Sequence, residues 1–255
     1  TSVSGVSQIS GLASDFIKGV DISSLTAIEN SGVSFYYPDG TSGDMFDILK
    51  GAGVNYVRIR IWNNPYDSSS PYKGYGGGNC DLYNAKVLGK RATDAGMKVF
   101  IDFHYSDFWC DPAKQFAPKE WKDYTLSQKQ TAVYGYTYWA LSELLDYGVD
   151  VGIVQIGNET TTGFCGEKEW EDMCTLFKAG SEAVRGIDKD ILIAIHFTNP
   201  EKGSYPAYAS YLEQYGVDYD VFASSYYPYW HGEVGSMKAI LNTIVNKYDK
   251  KVMIV

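Results

Sequence analysis

Several classes of protein are excluded by residues that are scarce in this 255-residue sequence. The formal charge is −9, from 22 basic and 31 acidic side chains, and no run of Lys or Arg interrupts it. Binding to nucleic acid by neutralising phosphates is therefore not expected. No apolar stretch approaches the roughly 18 residues of a membrane helix, so we expect no membrane span. The Ser/Gly-rich start lacks the charged and apolar segments of a signal peptide, as in the mature, extracellular form of a secreted protein.

Histidine and cysteine are also scarce, with three and four copies. No Cys-x-x-Cys pair occurs, and no His lies at ligand spacing from another His or a Cys, so we expect no metal site. An even number of cysteines permits two disulfides in any of three connectivities, as in secreted proteins. The alternative is four buried thiols. The four residues are Cys80, Cys110, Cys165 and Cys174.

What the chain does contain is one pattern, repeated. A short β-branched run ends in polar or aromatic residues and is followed by a loop and an amphipathic helix. The predicted strands are 16–22, 55–62, 98–105, 152–158, 191–197, 221–227 and 251–255, and the predicted helices are 43–52, 83–95, 127–147, 167–186, 207–215 and 234–248. This alternation predicts an α/β fold with a parallel sheet, the (β/α)8 TIM barrel. The glycine-rich residues 74–78 do not join a strand to a helix as a dinucleotide-binding turn would, so we predict a loop there.

The limits of the barrel follow from the same pattern. Residues 1–15 are predicted to form an N-terminal tail, and residues 16–255 one catalytic barrel. About seven strand–helix units are visible, and the sequence stops at Val255 within an apolar run. An open sheet edge is unfavourable, and a barrel needs closure. We therefore expect the last strand and helix to lie outside this sequence.

Polar and aromatic side chains collect where the predicted strands end. In a (β/α)8 barrel the active site lies at these carboxyl ends. The candidates are Asp21; Arg58, Arg60 and Trp62; Asp102, His104, Asp107 and Trp109; Asn158 and Glu159; His196; and Tyr226, Tyr227, Trp230 and His231. An Arg inside an apolar strand needs a carboxylate partner. Burial of Glu159 would raise its pKa, as a general acid requires; the alternative is a Glu at a helix N-terminus.

Four segments give the sequence a specific resemblance. They are VNYVRIRIWNNP at 54–65, DFHYSDFW at 102–109, QIGNET at 155–160 and SYYPYWHG at 225–232. In this order and spacing they resemble glycoside hydrolase family 53, the endo-β-1,4-galactanases, from about residue 16 to residue 255. The resemblance implies a secreted, retaining endo-glycosidase, expected to act as a monomer. Its implied substrate is β-1,4-galactan, in the type I arabinogalactan side chains of pectin.

The resemblance also implies roles for individual residues. Glu159 matches the acid/base, Asn158 the neighbour that holds the sugar 2-hydroxyl, and Arg58 the arginine that keeps the nucleophile ionised. Substrate contacts are implied at the remaining candidates: Asp21 and His104 at the glycone pocket, Tyr226 or Tyr227 near the nucleophile, Trp62, Trp109 and Trp230 against sugar faces, and Arg60, Asp107 and His231.

The catalytic nucleophile is expected to lie outside this sequence. The family places its nucleophile, a Glu, just after the seventh strand, which here means just after Val255. Glu233 is expected to point to solvent or begin the next helix rather than replace it. No cofactor is expected for the reaction. The resemblance allows a structural calcium ion in a late loop beyond Val255.

The sequence leaves open two alternative functions and the pairing of the four cysteines. A chain that ended at Val255 would be a galactan-binding barrel without catalysis. A related barrel enzyme would act on another β-1,4-glycan, such as mannan or cellulose. Cys80 and Cys110 depart from the family pattern on the catalytic face. We expect them to pair there, and Cys165 to pair with Cys174 beyond Glu159.

Overall fold

A computed structural model describes residues 9–66 and 80–255. The loop predicted at residues 74–78, and residues 1–8 of the predicted N-terminal tail, lie outside the described residues. Residues 9–15 contain turns and neither helix nor strand. Among the described helices, none has the length and apolar character needed to cross a membrane.

Seven parallel strands form one sheet, and their order in space is their order along the chain. They are β1 (Gly19–Asp21), β2 (Tyr56–Ile61), β3 (Lys98–Phe103), β4 (Val151–Ile156), β5 (Leu192–Phe197), β6 (Val221–Ser224) and β7 (Lys251–Ile254). Each overlaps the segment predicted for it, so the seven predicted strands are confirmed.

Helices alternate with these strands. They are α1 (Leu25–Asn30), α2 (Met45–Gly51), α3 (Leu82–Asp94), α4 (Leu126–Asp146), α5 (Trp170–Ile187), α6 (Tyr205–Gln214), α7 (Pro228–His231) and α8 (Val234–Tyr248). All six predicted helices are confirmed. The two short helices, α1 and α7, and a small hairpin of Phe35–Tyr36 with Ser42–Gly43 were not predicted, because segments this short show no periodicity. The fold is that of a (β/α)8 barrel, with seven strands in the described part of the chain.

Strand β2 shows how the sheet separates its two faces. Val57, Ile59 and Ile61 pack with the helices in the main apolar core. The alternate residue Tyr56 packs in a second, smaller cluster with Phe100 of β3 on the other face. Arg58 and Arg60 occur at the same alternation as Tyr56, which is the shared face that the period of two predicts. The interior of the barrel therefore carries two arginines at the end of one strand.

Strand β6 differs from the prediction in its length. It ends at Ser224, three residues earlier than expected, because Pro228 begins α7. Proline is favoured at a first helical position, where its missing N–H is not needed. Tyr226 and Tyr227 therefore lie in the loop after β6, and Trp230 and His231 lie in a short helix.

The four cysteines are buried thiols in the structure, so the predicted disulfides are contradicted and the alternative holds. The sulfur atoms face different parts of the backbone. The Sγ atoms of Cys80, Cys110 and Cys174 lie 3.7, 3.4 and 4.0 Å from the carbonyl oxygens of Ser23, His104 and Tyr211. All four thiols are buried, and they serve as small apolar side chains.

Candidate active site

Glu159 lies in a strained turn directly after β4. Its φ is +47° and that of Gly157 is +83°. A left-handed backbone costs a non-glycine residue about 1–3 kcal/mol and persists only where the surroundings enforce it. A Cβ at position 157 would lie 2.6 Å from Cγ2 of Thr160 and 2.9 Å from the ring of Phe164. Only glycine therefore fits at the start of this turn.

His196 on β5 holds the turn from one side. The backbone N–H of Glu159 donates to Nδ1 of His196 at 3.2 Å, and the N–H of Thr160 donates to the His196 carbonyl at 2.9 Å. From the other side, the side-chain amide of Gln115 donates to the carbonyls of Asn158 at 2.8 Å and Glu159 at 3.1 Å. These contacts from two separate segments fix the strained backbone.

The Glu159 carboxyl group has a raised pKa. Burial is the main cause, and the negative charge of Asp111 adds to it. The hydroxyl of Ser225 donates to Oε1 at 2.6 Å and, with His231, acts in the opposite direction without reversing the shift. A carboxyl group that keeps its proton above its usual range fits a general acid. The alternative of a helix N-terminal Glu does not hold, because the next helix begins at Trp170.

Arg58 lies between two carboxylates and two amides. Its Nη1 is 3.2 Å from Oδ2 of Asp21, and its Nη2 is 2.8 Å from Oδ2 of Asp102. The same Nη2 donates to Oε1 of Gln155 at 2.9 Å and to Oδ1 of Asn158 at 3.1 Å. The carboxylate partner expected for an arginine in an apolar strand is therefore present, and Arg58 also orients the neighbour of Glu159.

Asp102 is the buried anion of this network. Burial alone would raise the pKa of its carboxyl group, but the charge of Arg58 and the hydrogen bond from His104 hold the pKa below its usual value. Nδ1 of His104 accepts from Nε1 of Trp62 and from the N–H of Cys110, each at 3.2 Å. The ring proton must then sit on Nε2, 3.1 Å from Asp102, which fixes the tautomer.

Trp62 does not reach the cavity. Its side chain has no exposed surface, and its indole N–H is used by His104, so its face is closed to a sugar. Trp109 covers this region instead: it is 40% exposed, and the guanidinium of Arg60 lies 4.1 Å from its ring centre. Such a cation–π contact orients the exposed ring. Arg60 also donates to Ser24 at 3.0 Å.

Two further candidates are turned away from Glu159. His104 is buried beneath the cavity, where it pairs with Asp102. Asp107 is also buried and accepts the backbone N–H groups of Asn64 at 2.9 Å and Lys119 at 2.7 Å. These bonds join two loops, so the geometry gives Asp107 a structural place rather than a substrate contact.

The loop after β6 separates its two tyrosines. Tyr227 is 55% exposed and lines the cavity, whereas the Tyr226 hydroxyl donates to the carbonyl of Gly232 at 2.7 Å. His231 is buried, and its Nδ1 accepts the N–H of Tyr227 at 3.0 Å. Trp230 is 71% exposed. Tyr227, Tyr229 (86% exposed) and Trp230 are therefore aromatic rings of this segment that a ligand can reach, and of these Tyr227 lines the cavity.

A cavity of about 640 Å³ brings these groups together at the carboxyl ends of the strands. Its lining residues are Asp21, Arg58, Arg60, Trp109, Cys110, Asp111, Lys114, Asn158, Glu159, His196, Ser225, Tyr227 and Val255. A larger cavity of about 1140 Å³ lies between the segment before β1, strand β7 and helix α8, and is mainly apolar. We place the site in the smaller one, because it alone of these two holds the half-buried acid. In residues 9–66 and 80–255 no cluster of three metal-binding side chains occurs.

Sequence reasoning missed Ser225 and Gln155. Both contact the site: Ser225 through Glu159, and Gln155 through Arg58 and Asp102, whose Oδ1 accepts from Nε2 of Gln155 at 2.7 Å. Gln155 was detectable as a polar residue in an otherwise apolar strand. Ser225 was hidden because the strand was predicted to continue past it. Glu233 is exposed and is the N-cap residue of α8, as predicted.

Comparison with known proteins agrees with this geometry. The chain is 54% identical over 250 residues to the endo-beta-1,4-galactanase of Bacillus subtilis (strain 168), covering 98% of this chain and 58% of the relative. It is 34% identical over 254 residues to the arabinogalactan endo-beta-1,4-galactanase of Cellvibrio japonicus (strain Ueda107), covering 94% of this chain and 65% of the relative. The chain thus spans about three fifths of the length of these two relatives.

A solved structure and a family model also match this chain over nearly all of its length. The GH53 catalytic domain of Ignisphaera aggregans superimposes with a TM-score of 0.94 at 39% identity, covering 98% of this chain and 70% of that domain. The model of glycosyl hydrolase family 53 matches residues 17–255. The chain, with its strained Glu159 turn at the carboxyl end of a parallel sheet, therefore belongs to glycosyl hydrolase family 53.

Proposed function

We propose that this protein is a secreted endo-β-1,4-galactanase that hydrolyses internal bonds of galactan and type I arabinogalactan with retention of configuration. The names of the Bacillus and Cellvibrio relatives support this activity and substrate class. The substrate is a polymer from the pectin side chains of plant cell walls. A polymer of that size does not cross a membrane, so we place the enzyme outside the cell.

The observation that carries the proposal is the half-buried carboxyl group of Glu159 in the cavity wall, with its raised pKa. In the first step Glu159 donates its proton to the glycosidic oxygen as the bond to the leaving sugar breaks and a second carboxylate, the nucleophile, bonds to the anomeric carbon. In the second step the Glu159 carboxylate takes a proton from water as the water attacks the anomeric carbon and the bond to the nucleophile breaks. The same group therefore serves as acid and then as base.

Asn158 supports the sugar at the reacting centre. Its amide nitrogen donates one hydrogen to the carbonyl of Cys110 at 2.8 Å, and its second hydrogen remains for a sugar 2-hydroxyl. Arg58 fixes the other end of the amide through Oδ1. A hydrogen bond to the 2-hydroxyl becomes stronger as positive charge develops on the sugar ring, which accelerates the reaction.

Retention requires a second carboxylate, the nucleophile, about 5–5.5 Å from the first. We propose that a Glu just after β7 supplies it. Val255, the residue that follows β7, lines the same cavity as Glu159 and donates its N–H to the Ser224 carbonyl at 3.1 Å. A side chain carried just beyond that point would enter the cavity near Arg58, whose positive charge favours the ionised form.

Exposed aromatic rings supply the surface for the polysaccharide. Trp109 and Tyr227 lie at the cavity, and Trp230 lies in the same loop region as Tyr227. Flat rings stack on the apolar faces of sugars and leave the hydroxyl groups free for hydrogen bonds. We assign substrate contacts to these three residues and to Asp21 and Arg60. The reaction needs only carboxyl groups and water, so we propose that it proceeds without a cofactor. We also propose that the protein acts as a monomer.

The test compares the full-length protein with two variants on galactan, mannan and cellulose. We expect new reducing ends from galactan alone, and ¹H NMR of the first product should show the β-anomer. Glu159→Ala should lose most turnover while galactan binding, measured by calorimetry, persists. Glu233→Ala, which removes an exposed carboxylate, serves as the matched control and should keep its rate.

Each other outcome identifies a different function. Binding of galactan without reducing ends in the unmodified protein would indicate a galactan-binding barrel. Faster release from mannan or cellulose would indicate a related glycanase. A near-native rate for Glu159→Ala would show that Glu159 is not the acid/base.

A further inference from the structure

Ser225 connects the carboxyl group of Glu159 to a buried histidine. Its hydroxyl lies 2.6 Å from Oε1 of Glu159 and 2.9 Å from Nε2 of His196. Ser225 and His196 are each 2% exposed, so both side chains are buried. The three side chains come from β5 and from the turns after β4 and β6, and they converge at the wall of the cavity.

The imidazole of His196 is neutral near pH 7, because its pKa lies well below its usual value. Burial lowers its pKa to about 3, with Arg58 and His104 acting in the same direction and Asp102 in the opposite direction. A neutral imidazole carries one ring hydrogen, on either Nδ1 or Nε2. Its hydrogen-bond partners decide which nitrogen carries it.

The contacts of Nδ1 place the hydrogen on Nε2. Nδ1 faces the backbone N–H of Glu159 at 3.2 Å. The amide nitrogen of Gln155 is also 3.2 Å away, but its two hydrogens go to Asp102 at 2.7 Å and to the Gly157 carbonyl at 2.8 Å. The third neighbour, Oδ1 of Asn158 at 3.0 Å, already accepts from Arg58. A buried donor without an acceptor is costly, so Nδ1 accepts. Nε2 therefore donates to Ser225, and Ser225 donates to Glu159.

We propose that Ser225 and His196 are positioning residues, a chain of hydrogen-bond donors that holds the Glu159 carboxylate while it works as a base. The chain runs in one direction, from Nε2–H of His196 to the Ser225 hydroxyl to Oε1 of Glu159. It opposes the effects of burial and of the Asp111 charge, which both favour the protonated acid. His231 and a hydrogen bond from Thr198 also lower the pKa of Glu159 and so favour the carboxylate.

This inference rests on the proposed function for its meaning in catalysis, but its test does not need activity. Ser225→Ala removes the donor and keeps the backbone. We expect the pKa of Glu159, followed by ¹³C NMR of labelled carboxyl groups, to rise by about one unit, a tenfold change in its ionisation constant. Ser225→Thr, which restores a hydroxyl, should return the pKa toward its original value. Ser181→Ala removes an equally buried hydroxyl, bonded at 2.6 Å to the Asp218 carbonyl on another part of the fold, and should leave it unchanged.

The same change should appear in the kinetics of the full-length enzyme. The general acid must be protonated for the first step, so the basic limb of the kcat/KM profile should move up by the same amount in Ser225→Ala. An unchanged pKa in Ser225→Ala, or an equal shift in Ser181→Ala, would overturn the inference. Loss of galactan hydrolysis in all proteins with the NMR shift intact would reject the proposed function and leave the hydrogen-bond chain standing.

Discussion

Replacement of Asp102 by Asn should weaken the fold strongly, because one carboxylate satisfies three donors inside the sheet. Asp102 has no exposed side-chain surface. It accepts from Arg58 at 2.8 Å, from His104 at 3.1 Å and from Gln155 at 2.7 Å. An Asn retains one acceptor oxygen and adds an N–H₂ group that must face at least one of these donors. Breaking a buried ion pair by removing one partner costs about 3–5 kcal/mol.

The pH dependence of this loss has a definite sign. The pKa of Asp102 is lower in the folded protein than in the unfolded chain. Its contribution to the free energy of unfolding is therefore complete above the unfolded pKa, near 3.9, and falls as the pH drops toward the folded value. The difference between the unmodified protein and Asp102→Asn should be largest near pH 7 and should shrink below about pH 4.

Urea unfolding, followed by tryptophan fluorescence at several pH values, measures both quantities. Asp94→Asn is the matched control, since Asp94 forms an exposed ion pair with Lys90 within α3, and its loss should cost below about 0.5 kcal/mol. A loss under about 1 kcal/mol for Asp102→Asn, or a difference that does not shrink at acid pH, would refute the reasoning.

Two further predictions concern the turn and the thiols. Gly157→Ala should lower Tm and abolish galactan hydrolysis, because the new Cβ would lie 2.6 Å from Thr160 at a left-handed backbone. Scanning calorimetry and an activity assay measure this, and an unchanged Tm would contradict it. The four cysteines, whose thiol pKa values burial raises to between about 11 and about 12, should resist a thiol reagent in the native protein and react as four after denaturation. A count below four in denaturant would indicate a disulfide.

The periodic elements of this chain were predictable because each buries one face. Strand β2 alternates apolar and charged residues, and the two arginines follow directly from that alternation. The stops of α2, α3 and α4 were also predictable: each is followed by a glycine with positive φ, at Gly53, Gly96 and Gly148. The residues of a single segment are sufficient to predict such elements and the points at which they end.

Contacts between distant segments were not predictable in the same way. The neutral state of His196 depends first on burial and then on Arg58 and His104, which come from β2 and from the residue after β3. Trp62 is fully buried and donates its indole N–H to His104. Its position at the end of a strand predicted a contact with sugar, whereas the structure shows that its ring is covered. The cysteine spacing carried no information on pairing, since the distance between two sulfur atoms is set by the fold.

The order of the sheet has a consequence for how the protein is made. Each strand pairs only with the strands before and after it along the chain, so the sheet can grow in the order of synthesis, with neighbours already present when each new strand emerges. The turn of Glu159 does not form in this order of synthesis. Its N–H and that of Thr160 are bound by His196 of β5, which is synthesised later. Glu159 should therefore acquire its strained backbone only after the fifth strand has docked, so that a nascent chain ending within α5 carries Glu159 without the geometry of the folded turn.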